Sequence, residues 1–217
     1  DIVLIVCASA TSWMLSKVVH NKGGLYNRLT EQIHLRTFCL RECEAYVKAA
    51  GLVLNRNQIL QYYMIFGGVP YYWGFLKKGL SLSQNIDSIL FEKDAPLRDE
   101  FKYLYASVFK KPENHVKIIE ALGTKKVGMT REEIITATKI PNSGDLTTKL
   151  EELESCGFIR KYNAFGMKKK NAIYQLMDCF TLFYFKFLKS EPTDEHFWTN
   201  QINTSAVNTW LGLAFER

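Results

Sequence analysis

The chain has 217 residues, of which 47% are hydrophobic, so it is long and apolar enough for one large domain or two small ones. Its 28 basic and 22 acidic residues leave a net charge of +6, which is compatible with nucleic-acid binding but not diagnostic of it. Five cysteines in no disulfide-like spacing exclude a disulfide-stapled secreted scaffold and favour a reducing cytoplasm.

The N-terminal segment contains a predicted strand without a predicted neighbour. Residues Ile2–Cys7 form an unbroken apolar run rich in β-branched side chains, which is typical of a strand buried on both faces of a parallel sheet. A parallel strand needs neighbours supplied by crossover connections, and the hydrophobic segments that follow are helical in period. We therefore expect residues 1–39 to be the C-terminal end of a larger α/β domain whose other strands lie upstream. The apolar run Leu4–Leu15 lacks a basic leader and is too short to span a bilayer, so we expect no membrane association.

Residues 40–110 are predicted to form a small helical domain. Several of the helical segments end at glycine, and one begins with Pro70 at its first helical position. The predicted helices are Leu40–Ala50, Gln58–Phe66, Pro70–Lys78, Ser83–Phe91 and Pro96–Phe109.

Residues 111–177 have the pattern of a winged helix. A first helix, Asn114–Leu122, is expected to bury Val116, Ile119 and Leu122. The capping box Thr130-Arg131-Glu132-Glu133 opens a second helix, and Asp145–Ser155 forms a third on Leu146, Leu150 and Leu153. Two short β-rich segments, Phe158–Tyr162 and Ala172–Leu176, then pair as a hairpin. Three helices followed by a two-stranded wing make up the winged-helix variant of the helix-turn-helix unit.

The last segment, residues 178–217, is aromatic at helical spacing and ends in a predicted helix, Ser205–Arg217. Together these elements predict a fold that is mainly α with a small β component.

No complete active site can be found in the sequence. The phosphate-cradling loop G-x-x-x-x-G-K-[ST], the H-E-x-x-H motif, a nucleophile elbow and paired carboxylates are all missing. Cys39 and Cys43 lie one helical turn apart near His34 but lack a second ligand pair, so we expect no metal site. The four histidines are scattered, and each is expected to be a surface or half-buried residue rather than a catalyst.

The predicted wing is basic, whereas the predicted third helix is acidic. The wing cations are Arg160, Lys161, Lys168, Lys169 and Lys170. The charged positions expected to be exposed on the third helix are Asp145, Lys149, Glu151, Glu152 and Glu154. Carboxylates on a recognition helix would face the phosphates of DNA, so direct base reading is not expected. Non-specific DNA contact through the wing remains open, and use of the winged helix as a protein or interdomain contact module is favoured.

Five segments resemble one protein family. They are ASATSWM at 8–14, YNR at 26–28, IHL at 33–35, LREC at 40–43 and FGGVPY at 66–71. Together with the order of elements, they are similar to the second half of prokaryotic AAA+-related ATPases, in particular the archaeal and Bacteroidetes ATPases related to STAND NTPases. The resemblance covers essentially the whole chain.

The resemblance implies a division into four parts: the end of an ATPase core (1–39), a helical lid (40–110), a winged helix (111–177) and the start of a nuclease-like domain (178–217). The Walker A and Walker B segments would lie upstream, so ATP and Mg²⁺ would be bound by the full-length protein and not by this chain alone. This upstream ATPase half is thus the first expected partner, and a second copy of the chain and non-specific DNA are further ones.

Four residues of this chain match functional positions of that family. Ser9 matches the sensor-1 polar residue at the end of a strand, although Ala8 stands where the family usually has Gly. Arg28 matches a basic position that would face phosphate, and Gly68 with Pro70 matches the lid motif that packs Pro against adenine. Simpler roles remain open: Ser9 as a helix cap, Arg28 as a solvated cation, and Gly68 and Pro70 as the end of one helix and the start of the next.

Two functions are compatible with these observations. The favoured one is a fragment of an ATP-dependent switch, with a winged helix for interdomain or DNA contact. The alternative is a stand-alone winged-helix DNA-binding regulator whose helical N-terminal part dimerises. The predicted strand Ile2–Cys7 favours the first, because a regulator has no need for a buried parallel strand.

Overall fold

A computed structural model describes residues 3, 5, 7, 30, 31, 33–163 and 172–217 of the chain. Over these residues the fold is mainly α with a small β component, as predicted. The sheet is antiparallel and has three strands, one more than the predicted two-stranded wing. The helices and strands, in chain order, are α1 (Leu40–Ala49), α2 (Arg56–Phe66), α3 (Pro70–Trp73), α4 (Leu82–Ile86), α5 (Glu100–Val108), α6 (Glu113–Gly123), β1 (Met129–Thr130), α7 (Arg131–Thr138), α8 (Gly144–Ser155), β2 (Ile159–Tyr162), β3 (Ile173–Leu176), α9 (Cys179–Phe183), α10 (Phe197–Gln201) and α11 (Ser205–Phe215).

The predicted strand Ile2–Cys7 falls largely outside the described residues. Val3, Ile5 and Cys7 are described, and each is exposed and has no secondary structure.

The chain divides into two compact units. The winged-helix unit consists of residues 1–34 and 104–177, and the helical unit consists of residues 35–103 and 178–217. This division differs from the predicted one, because residues 178–217 pack with the predicted lid helices instead of standing apart as the start of another domain. The physical reason is that Phe180, on α9, is fully buried and its ring lies 5.3 Å from that of Tyr72.

The core of the helical unit is rich in aromatic side chains. Its largest fully buried members are Tyr62, Phe66, Trp73, Phe91, Phe180, Phe183 and Trp198. Burial of each such side chain contributes roughly 1.5–3 kcal/mol to the free energy of unfolding, which makes this cluster the main source of stability in the unit. The edge-on arrangement of Trp198 and Trp210, at 89°, is one that aromatic quadrupoles favour.

Two helices of this unit each widen into a π-helical turn. The first π turn is Asp87–Phe91 after α4, and the second is Tyr184–Leu188 after α9. In each, a backbone N–H donates to a carbonyl five residues earlier: Glu92 to Asp87 at 2.9 Å and Lys189 to Tyr184 at 2.8 Å. Asp87 is itself buried, and its carboxylate accepts hydrogen bonds from the backbone N–H groups of Trp198 and Thr199, so it caps the start of α10.

The winged-helix unit has the order α6, β1, α7, α8, β2, β3 and the sheet order β1-β3-β2. Met129 of β1 pairs with Tyr174 of β3, and Ile159 of β2 pairs with Leu176 at the other edge of β3. These elements follow the order from which the sequence predicted a winged helix, with β1 as an additional strand. The two-residue strand β1 ends at Thr130, which forms the predicted capping box with Glu133.

The buried face of α6 is rotated from the predicted one. His115, Ile118, Ile119 and Leu122 are buried, whereas Val116 is only partly covered. The prediction for Val116 was therefore wrong by one position. The four buried residues follow the i, i+3, i+4 and i+7 spacing of a buried helix face. His115 takes the first of these positions, where an apolar residue is usual.

Candidate functional site

The third helix of the winged helix, α8, is positioned by three buried leucines. Leu146, Leu150 and Leu153 face inward as predicted, which turns Thr147, Thr148, Glu151 and Glu154 outward. A helix that enters DNA would present this outward face to the groove. Glu151 and Glu154 form no ion pair within the described residues, and their carboxylates would meet phosphates of like charge.

Two of the charged positions predicted to be exposed on α8 are not. Lys149 is only 14% exposed in its side chain, and its Nζ lies 2.7 Å from Oδ1 of Asp145, so this pair is locally neutral. Glu152 is 23% exposed because its carboxylate points to His115 on α6. The acidic character of the outward face therefore rests on fewer residues than predicted, but its sign is unchanged.

The described base of the wing holds two of the five predicted cations. Arg160 and Lys161 are exposed on β2, as the wing prediction requires. Nε of Arg160 donates to Oε1 of Gln175 at 2.8 Å, and the guanidinium carbon of Arg160 lies 5.4 Å from the Tyr162 ring centroid. Nζ of Lys161 lies 5.7 Å from the Tyr174 ring. Lys168, Lys169 and Lys170 lie outside the described residues.

His115 is a buried polar residue that the sequence-based expectation of surface or half-buried histidines did not anticipate. Its Nε2 lies 2.8 Å from Oε2 of Glu152, and its Nδ1 lies 3.3 Å from the carbonyl oxygen of Lys111. The imidazole stacks on Phe109 at 3.9 Å between ring centroids. Its place in the apolar stripe of α6 is the sequence feature that would have predicted its burial. The geometry supports a structural role, because the residue is only 3% exposed.

The predicted lid motif forms a tight turn between α2 and α3. Gly67 ends α2 with φ of 60°, a conformation that favours glycine, and its carbonyl accepts a hydrogen bond from Nε1 of Trp73 at 2.8 Å. At Gly68 a Cβ would lie 1.9 Å from the carbonyl oxygen of Phe38. The Phe38 N–H in turn donates to the Gly68 carbonyl at 2.7 Å. The close approach of this neighbouring chain segment explains the glycine at position 68 without a ligand.

Pro70 has a surface open to a ligand, in contrast to Gly68. It is exposed at the first position of α3, next to Tyr71, whose side chain is 61% exposed. Of the two predicted cofactor-binding residues, Gly68 is therefore covered by the chain itself and Pro70 is accessible. Ser9 and Arg28, the predicted phosphate-facing residues, lie outside the described residues.

A group of partly buried ionisable side chains lies in the helical unit. Burial raises the pKa of Glu100, although the Tyr72 hydroxyl donates a hydrogen bond to its carboxylate at 2.9 Å. Burial likewise raises the pKa of Asp178, whose carboxylate accepts from the backbone N–H of Thr181 at 2.7 Å and caps α9. The pKa of the Cys179 thiol is raised to about 12, again by burial. A thiol in that state is a poor nucleophile at neutral pH.

No cluster of three or more His, Cys, Asp or Glu side chains able to hold a metal occurs in the described part of the chain. Cys43, one of the two cysteines considered for zinc, is buried, and burial raises the pKa of its thiol to about 12. No helix within the described ranges is long and apolar enough to cross a membrane.

Comparisons with protein-family models, with curated proteins and with solved structures found no match to this chain. The functional assignment therefore rests on the residues, their geometry and the resemblance noted in the sequence.

Proposed function

We propose that this chain is part of an ATP-dependent molecular switch of the AAA+/STAND-related type, in which the winged helix is a contact module and not a base reader. The resemblance of segments such as FGGVPY supports the ATPase part. The observation that carries the contact-module part is the outward face of α8, where the carboxylates of Glu151 and Glu154 are exposed. A base-reading helix approaches phosphates with cations, so this face suits a protein or interdomain surface better.

Pro70 is the described residue that would hold part of the nucleotide. Its exposed ring at the start of α3 is able to pack against an adenine, while Gly68 keeps the turn closed against Phe38. Ser9 and Arg28 would act at the phosphates. Bound ATP with Mg²⁺ would supply the free-energy difference between two conformations of the protein. The Walker segments and the remaining strands would come from the upstream half, and the site of action would be the cytoplasm, which suits five free cysteines.

A second candidate is a stand-alone DNA-binding regulator with a helical dimerisation region. The exposure of Arg160 and Lys161 on β2 favours it, because both cations are available to phosphates.

Fluorescence anisotropy on a duplex of arbitrary sequence, across a salt series, tests the contact module against the regulator. We expect weak, sequence-independent binding, because phosphate neutralisation releases counterions while base edges go unread. Replacement of Lys168, Lys169 and Lys170 by Ala should lower the salt slope by up to about three units, near one for each lost phosphate contact. Replacement of Glu151 and Glu154 by Gln should leave binding unchanged or strengthen it by removing repulsion.

Tight, salt-insensitive binding to one sequence that is lost on substitution of Thr147 or Thr148 would favour the regulator. No binding at any salt concentration would leave the winged helix with a protein partner only.

A further inference from the structure

Helix α11 has one face open to water, yet it contains no charged residue. Every other helix of eight or more residues in the described part of the chain contains at least one. A helix on a protein surface usually combines an apolar inner stripe with a charged or polar outer face. Val207 and Trp210 belong to the buried stripe of α11, and its outer face is uncharged. This composition favours an outer face that another protein surface covers.

A hollow of about 280 Å³ lies along this face of α11. Ala206, Thr209 and Leu213 line it at the i, i+3 and i+7 spacing of one helix face. Trp210 and, from the second π turn, Lys186 line it as well. Leu213 is 38% exposed, so the face has a large apolar side chain that water reaches, next to a hollow.

The face is self-complementary when two copies of α11 are placed antiparallel. A twofold axis that passes between Thr209 and Trp210 brings Leu213 of each copy opposite Ala206 of the other, because Leu213 and Ala206 lie equally far from that axis along the helix. A large side chain then meets a small one, as in the packing of side-chain ridges into grooves. Removal of Leu213 from water would supply the apolar contribution to the pairing.

The charge of Lys186 fits the same arrangement. With Leu213 of the second copy in the hollow, the C-terminal turn of that copy's α11 lies where Lys186 lines the hollow. The carbonyl groups at a helix C-terminus carry a partial negative charge, and an ammonium group beside them is favourable. Lys186 is exposed and forms no ion pair within the described residues, so it is available for this contact. A nucleic acid suits the face less well, since a single cation offers few phosphate contacts.

We propose that α11 is the contact surface of a weak, antiparallel homodimer. A second copy is favoured over an unrelated protein because one face contains both halves of the contact, the exposed Leu213 and the hollow that would receive it. A helix of 11 residues is about 16 Å long, so one pair of them buries less than the roughly 800 Å² per partner of a standard stable interface. A Kd of the order of 100 µM is therefore expected. The proposal is independent of the ATPase assignment.

Analytical ultracentrifugation of the whole chain, from about 10 µM to about 1 mM, measures the association. We expect an equilibrium between monomer and dimer that depends on concentration. Leu213→Asp should weaken it by at least about tenfold, because pairing would bury a carboxylate without a partner. Lys186→Met should weaken it by about two- to fivefold, since contacts with a helix terminus are weaker. Val53→Asp is the matched control: it adds the same charge at an apolar residue that is 98% exposed outside α11, and it should not change the association.

Cysteine cross-linking tests the register, in a chain whose exposed Cys7 and Cys39 are replaced by Ser. With copper–phenanthroline as the oxidant, Thr209→Cys should form a disulfide-linked dimer, because the two copies of this position lie beside the twofold axis. Ala206→Cys and Leu213→Cys should cross-link with each other when the two variants are mixed. Neither should cross-link alone, since the two thiols of a single variant would then lie about 10 Å apart along the helix axes.

Three outcomes overturn the proposal. The first is a chain that stays monomeric up to about 1 mM, which would leave this face to a different protein. The second is Leu213→Asp associating as strongly as the natural chain, with an unfolding midpoint that shows it to be folded. The third is Ala206→Cys cross-linking alone as readily as in the mixture with Leu213→Cys. If Leu213→Asp does not fold, the cross-linking result decides the proposal by itself.

Discussion

His115 on α6 and Glu152 on α8 meet in the interior of the winged helix, with Nε2 and Oε2 2.8 Å apart. The histidine is 4% exposed in its side chain and the glutamate 23%, so water cannot replace either partner fully. The contact joins the first helix to the third, in addition to the buried leucines that position α8.

We expect this pair to show strong coupling in a double-mutant cycle. His115→Ala should destabilise the protein by about 2–4 kcal/mol, because it removes both the hydrogen bond and the stacking on Phe109. Glu152→Gln should cost about 1 kcal/mol, and the double variant should show a coupling energy of about 0.5–3 kcal/mol. Urea unfolding measures these values. Glu151→Gln, one residue away on the outward face, is the control and should change stability by less than about 0.5 kcal/mol. Additive effects of the two substitutions would mean that the contact is not formed in solution.

Gly68→Ala should be strongly destabilising, since its Cβ would overlap the Phe38 backbone. Overpacking of this kind costs about 1–3 kcal/mol or more. Gly212→Ala is the matched control in the same unit: it lies in α11 with nothing within 4 Å of the added Cβ, so it should stabilise the protein by about 0.5–1 kcal/mol. Thermal unfolding of both variants gives the comparison. Equal effects would show that residues 35–39 do not pack on this turn.

Lys139→Gly should stabilise the winged-helix unit. Lys139 ends α7 with φ of 59° and ψ of 17°, and its N–H donates to the carbonyl of Ile135. Glycine adopts this left-handed cap without the steric cost of a side chain, which is worth about 1 kcal/mol. Ala137→Gly, on the exposed side of the same helix, should have the opposite sign and cost about 1 kcal/mol. Chemical denaturation of the two variants tests the prediction, and it fails if Lys139→Gly is the less stable of the pair.

Glu100→Gln should change how stability depends on pH. Burial raises the pKa of Glu100 above 4.5, so the folded state binds its proton more tightly than the unfolded state does. The stability that this group contributes is full below about pH 4.5 and is lost as the pH rises through the folded pKa. A neutral Gln keeps an acceptor for the Tyr72 hydroxyl and has no such loss. The variant should therefore gain stability relative to the natural chain from pH 4 to pH 7 in urea titrations. A gain that is the same at every pH would show that ionisation of Glu100 is not responsible.

The chain alone should not hydrolyse ATP. Phosphate capture needs a cradle of backbone N–H groups and a Lys that its sequence does not encode. Steady-state phosphate release should stay at the level of a buffer control, with and without Ser9→Ala and Arg28→Ala. Release at a rate typical of ATPases that survives both substitutions would place an active site elsewhere in the chain and contradict the proposed division of labour with an upstream half.

Local signals in the sequence determined most of the helices. The third helix of the winged helix was predicted at Asp145–Ser155 and lies at Gly144–Ser155, because three leucines at helical spacing define its inner face. The capping box at Thr130 and Glu133 was likewise predicted, since both partners lie within one turn. For the candidate sites, the sequence predicted a basic wing, and the two of its cations that are described, Arg160 and Lys161, are exposed.

Only the tertiary structure decided features whose partners are distant in the sequence. Glu152 is 37 residues from His115, and Asp87 is 111 residues from Trp198, so no local pattern encodes either contact. The same holds for the two-residue strand β1, which exists only because β3 lies beside it. The first π turn, Asp87–Phe91, belongs here too, since the sequence pattern predicted a helix over Ser83–Phe91 and not its widened turn. Periodicity specifies which residues prefer to be buried, whereas the free energy of burying a polar group is set by the partner that folding brings to it.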